Sequence, residues 1–270
     1  MRRPNLLRQR LAGPRPLIGA YLNFPSPELV EFLGYAGFDW VFLDAEHGGI
    51  GLEACYALVR AADAAGLASM VRVPSNDPAT ILVYAETGVH GLMAPHVASV
   101  ADAESLVRSL RYWPHGARGA MTGSRAANYG LTQSGRDYLT SQDDHVMAIA
   151  LLEDKRAFDD LDAIAGVYGV DAFFIGPGDL AMSMELPAET DHPEVKQTIE
   201  RATEMLAGGG RAVGTIVGTP EAARAALGLG MRLIVVSVAG LLNGAITDFM
   251  KGARATTSAG TAAATVDTGA

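Results

Sequence analysis

The feature that most constrains this chain is an alternation of short apolar segments with helix-periodic segments, repeated eight times. Each apolar segment ends in turn residues, which is typical of buried parallel strands that alternate with helices. The predicted strands are Leu17–Phe24, Trp40–Asp44, Ser69–Val73, Gly91–Ala94, Val146–Leu152, Ala172–Ile175, Ala212–Val217 and Leu233–Val236. The predicted helices are Ser26–Gly34, Leu52–Ala65, Pro78–Glu86, Val100–Arg111, Arg156–Ile164, His192–Leu206, Pro220–Leu227 and Leu241–Lys251.

Eight βα units without a break in composition predict one closed (β/α)₈ barrel, a TIM barrel, over residues 1–252. The rival architecture is an open, doubly wound sheet, which the uninterrupted repeat disfavours. Ser26-Pro27-Glu28 and Thr219-Pro220-Glu221 each combine a capping residue, a proline at the first helical position and an early acid, as helix starts do. Residues 253–270 are rich in Ala, Thr and Gly, so we expect a disordered tail there.

A connector, Tyr112 to His145, separates the fourth predicted helix from the fifth predicted strand. It exceeds the roughly 15 residues beyond which a loop needs a structural or functional reason. In a barrel this connector would follow the fourth helix at the amino-terminal face of the strands. Active sites of such barrels lie at the other face, at the carboxyl ends of the strands. We therefore expect an oligomer contact or a plug of the barrel rather than a catalytic segment.

Charge and composition exclude several classes of protein. The chain has 21 basic and 30 acidic residues, a net charge of −9, and no basic block, so nucleic acid and anionic membranes are unsuitable partners. The single cysteine, Cys55, excludes an internal disulfide framework and a cysteine-based zinc site. With no apolar run of membrane-spanning length and no secretion signal at Met1–Pro4, we predict a cytoplasmic protein.

Polar residues cluster where four predicted strands end, and a barrel would bring them to one face. These clusters are Asp44–Gly49, Arg72, Glu153-Asp154 and Gly176–Asp179. Glu153 and Asp179 are the candidate metal ligands, because Mg²⁺ and Mn²⁺ prefer oxygen donors and often take only two carboxylates. Each acid alone could instead cap the helix that follows it.

His47 is the candidate general base, because an imidazole can accept a proton near neutral pH. The following Gly48 and Gly49 allow a turn that would bring Asp44 and His47 to one side. The other histidines are interpreted as structural: His90, His96, His115, His145 and His192.

Arg72 is a charged residue in an otherwise apolar predicted strand. An unpaired guanidinium is costly to bury, so Arg72 must meet an anion, either a core carboxylate or the substrate. Beside a developing enolate it would supply oxyanion stabilisation.

Four ordered runs resemble the HpcH/HpaI family of class II, metal-dependent pyruvate aldolases, and the resemblance extends from about Ile18 to Lys251. The runs are Gly37-Phe38-Asp39-Trp40-Val41-Phe42-Leu43-Asp44-Ala45-Glu46-His47-Gly48, Val71-Arg72-Val73-Pro74, Arg111-Tyr112-Trp113-Pro114-His115-Gly116-Ala117-Arg118-Gly119 and Phe174-Ile175-Gly176-Pro177-Gly178-Asp179-Leu180.

The resemblance implies a (β/α)₈ barrel, usually a homo-hexamer built as a dimer of trimers, with the last helix exchanged between subunits. It also implies that Glu153 and Asp179 bind Mg²⁺, Mn²⁺ or Co²⁺, that His47 is the base and that Arg72 stabilises the enolate. The turn of Gly176, Pro177, Gly178 and Asp179 would contact the 2-oxo acid, with the Gly178 backbone holding its carboxylate.

Two positions depart from the family pattern. Glu86 stands where the family has an aspartate that supports the basicity of the histidine, and the resemblance gives the longer acid that role. Leu151 replaces a glutamine whose amide contacts substrate, so we expect weaker pyruvate binding, a bulkier 2-oxo acid or a changed reaction.

The resulting hypothesis is a metal-dependent carbon–carbon lyase that reversibly cleaves 4-hydroxy-2-oxo acids to pyruvate, or a related 2-oxo acid, and an aldehyde. His47, tuned by Asp44 or Glu86, would remove the 4-hydroxyl proton. The alternative on the same site is an oxaloacetate decarboxylase or a Claisen-type condensing enzyme. A third, disfavoured hypothesis is a barrel that binds a metabolite without turning it over.

Overall fold

The structure is a computed structural model that describes residues 5–141 and 145–259. Eight parallel strands follow one another around a closed barrel, and the last pairs with the first. The strands are β1 Leu17–Leu22, β2 Trp40–Asp44, β3 Ala68–Arg72, β4 Gly91–Ala94, β5 Met147–Leu152, β6 Ala172–Ile175, β7 Ala212–Val217 and β8 Leu233–Ser237. The (β/α)₈ prediction is confirmed, and the open sheet is excluded.

Most helices lie outside the barrel, and three of the twelve in the described residues are not predicted by the sequence patterns: α1, α6 and α9. The helices are α1 Leu6–Ala12, α2 Pro27–Tyr35, α3 Leu52–Ala64, α4 Pro78–Ala85, α5 Val100–Leu110, α6 Gly135–Thr140, α7 Lys155–Asp159, α8 Leu161–Ala165, α9 Pro177–Ser183, α10 Pro193–Gly208, α11 Pro220–Gly228 and α12 Val238–Ala259. The two predicted caps form: the hydroxyls of Ser26 and Thr219 accept the N–H groups of Leu29 and Ala222.

Apolar burial takes place on both sides of the sheet. Outside, side chains of the strands pack against the helices in the larger core cluster. Inside, a second cluster fills the barrel, as in other barrels of this size, so the barrel is a packed core and not a pore. Its members include Trp40, Phe42, Met70, Phe174 and Leu233.

The amino-terminal end of the barrel is closed by α1. Leu7 is fully buried in the interior cluster. The amide of Asn5 donates to the carbonyl of His90 at 2.7 Å and to that of His145 at 3.2 Å. The plug of this barrel is therefore α1, not the long connector that the sequence analysis considered for that role.

The connector instead packs beside the ends of α3 and α4 around a small cluster of Tyr112, Ala127 and Tyr138. Arg118 donates to Glu86 at 2.6 Å, and Arg125 donates to the carbonyl of Thr87 at 2.7 Å. These contacts lie at the face opposite the strand carboxyl ends, as predicted. The predicted contact with another subunit stays a prediction.

The last helix, α12, continues past the predicted boundary at residue 252 as far as Ala259. The predicted disordered tail therefore begins with helix, and its remainder, 260–270, lies outside the described residues. Several apolar side chains of α12 are exposed, including Ile246 at 60% and Phe249 at 72%. No helix among the described residues is long and apolar enough to cross a membrane.

Candidate active site

The site starts from a buried ion pair between the last residues of β2 and β3. Asp44 and Arg72 are direct partners in the register of these parallel strands. Arg72 Nε donates to Asp44 Oδ1 and Nη2 donates to Oδ2, both at 2.9 Å. Asp44 is fully buried, and the Arg72 side chain is 10% exposed. Of the two anions considered for Arg72, the core carboxylate is thus present.

The pKa of Asp44 is held below its usual value. Burial alone would raise this pKa, but hydrogen bonds from Arg72 and Tyr21 and the Arg72 charge outweigh burial. The Tyr21 hydroxyl, on β1, donates to Asp44 Oδ2 at 2.5 Å. Asp44 is therefore a buried anion that fixes the guanidinium.

The turn after β2 is organised by the same carboxylate. Asp44 Oδ1 accepts the backbone N–H groups of Glu46 at 3.2 Å and His47 at 3.3 Å. Gly48 is required here because a Cβ at that position would lie 2.3 Å from the Asp44 carbonyl oxygen. Asp44 thus holds the main chain of His47, while the His47 side chain is 61% exposed.

Glu46 connects the residues of this turn with those of the next strands. Its carboxylate lies 3.1 Å from Arg72 Nη1, 3.4 Å from His96 Nε2 and 3.8 Å from His47 Nε2. The Glu46 side chain is only 10% exposed, and its buried Oε2 atom faces Arg72 as an ion-pair contact rather than through a hydrogen bond. A second carboxylate therefore faces both imidazoles and the guanidinium.

Glu153 follows β5 and is almost completely buried. Its Oε1 accepts the backbone N–H of His96 at 2.9 Å and lies 3.1 Å from the His96 Nδ1 atom. Burial raises the pKa of Glu153 to about 6; His96 opposes this shift, whereas the charges of Asp179 and Glu46 add to it. Glu153 is therefore a buried carboxylate in a site with an excess of negative charge.

The turn after β6 lies beside Glu153. A Cβ at Gly176 would be 3.2 Å from Glu153 Oε2, so the absence of a side chain there leaves room for that carboxylate. Pro177, Gly178 and Asp179 form the first turn of α9, where Gly178 and Asp179 are exposed. No group of three or more His, Cys, Asp or Glu residues arranged to hold a metal is found among the described residues.

Two predicted site residues do not present their side chains at this mouth. Glu86 follows α4 at the opposite end of the barrel, because α4 runs back from the mouth, and it pairs there with Arg118. The structure therefore does not place Glu86 beside His47 within the chain. Leu151 is 2% exposed and packs inside the barrel with the interior cluster, so its side chain offers no surface to a ligand.

Three residues that the sequence analysis did not select take part in the site: Tyr21, Glu46 and His96. Glu46 stands within the run already quoted for the site, and His96 comes two residues after β4, at the carboxyl end of a strand. That position was the available signal for His96, by the same rule that selected His47. The hydroxyl of Tyr21 could not be assigned a partner without the barrel register.

Residues 17–241 match the family model of HpcH/HpaI aldolase/citrate lyase. The chain is 36% identical to a hydroxypyruvate/pyruvate aldolase of Deinococcus radiodurans, over 87% of this chain and 84% of that protein. It is 31% identical to a 5-keto-4-deoxy-D-glucarate aldolase of Escherichia coli O157:H7, over 86% of this chain and 90% of that protein.

Solved structures show the same architecture. An HpcH/HpaI aldolase/citrate lyase family protein from Burkholderia cenocepacia superposes with a TM-score of 0.87 at 34% identity, covering 93% of this chain and 99% of that chain. An HpcH/HpaI aldolase from Desulfitobacterium hafniense gives a TM-score of 0.85 at 25% identity, covering 92% and 96%.

Proposed function

This chain belongs to the HpcH/HpaI aldolase/citrate lyase family, and on that premise we propose that it is a divalent-metal-dependent aldolase. It reversibly cleaves 4-hydroxy-2-oxo acids to pyruvate, or a related 2-oxo acid, and an aldehyde. The observation that carries this proposal is the line of contacts Arg72–Glu46–His96–Glu153 across the barrel mouth. It places a fixed guanidinium and a buried carboxylate on one face with the exposed imidazole of His47.

The donor set suits a hard divalent cation. Glu153 and Asp179 supply carboxylate oxygens, and the raised pKa of Glu153, to which the charges of Asp179 and Glu46 contribute, marks a surplus of negative charge. Mg²⁺ commonly takes one or two protein carboxylates and leaves its other positions to water and substrate. Held by Glu153 and Asp179, a cation such as Mg²⁺, Mn²⁺ or Co²⁺ would supply Lewis-acid chemistry toward the 2-oxo group.

His47 moves the proton in the cleavage direction. The 4-hydroxyl proton passes to Nε2 of His47, the bond between carbons 3 and 4 breaks, and its electron pair forms the enolate of the 2-oxo acid as the aldehyde leaves. Glu46 Oε2 lies 3.8 Å from this Nε2 atom. Asp44 contributes by holding the His47 backbone.

Arg72 stabilises the charge of the enolate. Asp44 and Glu46 engage part of its fork of N–H donors, and the remaining donors serve the developing oxyanion. The pairing with Asp44 fixes the guanidinium before substrate arrives, so no reorganisation is needed during the reaction. The open turn at Gly178, where a Cβ would meet no atom within 4 Å, accommodates the carboxylate of the 2-oxo acid.

The proposal includes a homo-hexamer, a dimer of trimers in which α12 is exchanged between subunits. The exposed apolar side chains of α12, among them Leu241, Ile246 and Phe249, support a contact of this kind. Light scattering of the full chain tests the hexamer: a monomeric mass at micromolar concentration would contradict it.

A product screen tests the function. Pyruvate and hydroxypyruvate are incubated with a panel of aldehydes and Mg²⁺, with and without EDTA, and aldol products are identified by mass spectrometry. In parallel, NMR in D₂O follows exchange of the methyl protons of pyruvate. We expect aldol products and methyl exchange, both lost with EDTA, and we expect the aldol products to be lost in His47→Ala. His115→Ala, a change at an exposed histidine of the connector, is the matched control and should behave like the parent.

Three results would contradict the proposal. Carbon dioxide release from oxaloacetate without any aldehyde-dependent product would favour the decarboxylase alternative. Full activity in EDTA would remove the metal requirement. Undiminished formation of aldol products in His47→Ala would remove the assigned base.

A further inference from the structure

His96 has an unusual backbone for a residue with a side chain. It lies two residues after β4 and has a φ of 54°, in the left-handed region that non-glycine residues rarely adopt. Such strain persists only where the surrounding structure imposes it, and it concentrates at functional sites. At His96 this conformation directs both the backbone N–H and the ring Nδ1 to the same atom, Oε1 of Glu153.

The two oxygens of the Glu153 carboxylate therefore have different surroundings. Oε1 faces His96, with its backbone N at 2.9 Å and Nδ1 at 3.1 Å. Oε2 faces Gly176, at the junction of β6 and α9 that carries Asp179. Contact with His96 thus selects the rotation of the carboxylate that presents Oε2 to the side of Asp179.

The other ring nitrogen of His96 lies beside a second carboxylate. Nε2 is 3.4 Å from Glu46 Oε1, and Glu46 in turn contacts Arg72 at 3.1 Å. The ring spans the gap between the residues after β2 and the residue after β5. Its side chain is nevertheless 67% exposed, so it contributes little to apolar burial.

We propose that His96 is a positioning residue that orients the Glu153 carboxylate toward Asp179 and thereby sets the affinity of the site for a divalent cation. This inference rests on the proposed function, which assigns Glu153 and Asp179 to the cation. Hydrogen-bonding partners of ligating carboxylates typically change metal affinity by about 10- to 100-fold when they are removed. The exposure of the ring means that its loss leaves no cavity in the core.

The test measures binding of Mn²⁺ to the full-length protein from the electron paramagnetic resonance signal of free Mn²⁺, without substrate or turnover. Two substitutions of His96 are compared, to glycine and to asparagine, because both residues tolerate a left-handed backbone. The comparison separates relief of backbone strain from loss of the imidazole ring. His96→Gly removes every side-chain contact. His96→Asn places a polar group near the position of Nδ1 but is too short to reach Glu46.

We expect His96→Gly to raise the Kd for Mn²⁺ about tenfold. His96→Asn should recover most of that loss, because the contact with Glu153 carries the effect. Glu153→Gln should abolish specific binding, and His115→Asn, at an exposed histidine of the connector, should leave the Kd unchanged. Recovery by asparagine is a result that a merely structural role for His96 would not produce.

The negative outcomes are distinguishable. If the parent binds Mn²⁺ and Glu153→Gln does not, but His96→Gly binds within twofold of the parent or more tightly, the role of His96 is refuted while the metal site stands. If His96→Asn binds as weakly as His96→Gly, the assigned contact with Glu153 is refuted. If the parent does not bind Mn²⁺, or Glu153→Gln binds equally well, the metal site of the proposed function is refuted as well.

Discussion

Replacement of Arg72 by methionine should destabilise the fold, and this loss should not be additive with the loss caused by replacement of Asp44. Arg72→Met leaves the Asp44 carboxylate fully buried and removes two hydrogen bonds of 2.9 Å. Breaking one partner of a buried pair costs about 3–5 kcal/mol of unfolding free energy, because an uncompensated charge stays behind. The hydroxyl of Tyr21 and two backbone N–H groups still reach Asp44, so we expect a loss of about 3 kcal/mol, at the lower limit of that range.

Asp44→Asn should cost less than Arg72→Met, because the asparagine side chain is neutral and Arg72 keeps Glu46 at 3.1 Å. The double variant removes both charges. Its loss of unfolding free energy should be about 2 kcal/mol smaller than the sum of the two single losses, because residues in contact are coupled. The measurement is urea unfolding followed by circular dichroism at pH 8, in EDTA and at one protein concentration.

The pH dependence gives an independent check of the same pair. The pKa of Asp44 is lower in the folded protein than its usual value of 3.8. The stability that this carboxylate contributes is therefore fully present above about pH 4 and is lost as the pH falls through the folded pKa. In Arg72→Met the deficit should shrink at low pH, because the unpaired carboxyl can take up a proton. Additive losses in the double variant, or an Arg72→Met variant within about 1 kcal/mol of the parent, would refute the reasoning.

Three further predictions concern the site and the plug. The pKa of Glu153 is about 6 in the folded protein, against an ordinary value of 4.5. Ionisation of this buried carboxyl therefore lowers the free energy of unfolding by about 2 kcal/mol above pH 6 and has no such effect below pH 4.5. Metal-free Glu153→Gln should unfold at higher urea than the parent at pH 8, and this gain in stability should shrink toward pH 4.5. Gly176→Ala puts a Cβ 3.2 Å from Glu153 Oε2 and should weaken Mn²⁺ binding several-fold in titrations where Gly208→Ala, which meets no atom within 4 Å, does not. Leu7→Ala empties a fully buried position of the interior cluster and should cost about 2–5 kcal/mol in urea unfolding, more than Leu6→Ala, whose side chain is only partly buried.

The barrel itself could be predicted because its signal is local and repeated. Each strand carries a run of apolar residues and each crossover a helical period, so β2, β4, β6 and β7 form with the predicted boundaries. Helix α1 could not be recognised in the same way. Its short sequence has only one buried side chain, Leu7, and its binding surface exists only once the strands have closed.

For the site, too, the position of residues along the strands could be predicted, whereas contacts between distant residues could not. The carboxyl-end rule places Asp44, Arg72, Glu153 and Asp179 at one mouth from strand order alone. Side-chain direction in a turn is not local, however, so the sequence could not say that Asp44 would hold the backbone of His47 rather than its ring. Likewise, the left-handed backbone of His96 follows from contacts with Glu153, a residue distant in the chain.

Because α1 closes the amino-terminal end of the barrel, its contacts bear on the order in which the chain folds during synthesis. Helix α1 is synthesised well before some of its partners: Asn5 bonds the carbonyl of a residue 140 positions downstream, and Arg232 bonds the carbonyl of Leu11 across a separation of 221. Although Asn5 also bonds the carbonyl of His90, the contacts with His145 and Arg232 cannot form until the carboxyl-terminal half has been made, and long-range closures of this kind are slow. Docking of α1 can therefore be completed only after β8 has been made, and a protein fused directly ahead of Asn5 would lie next to this end of the barrel while it closes.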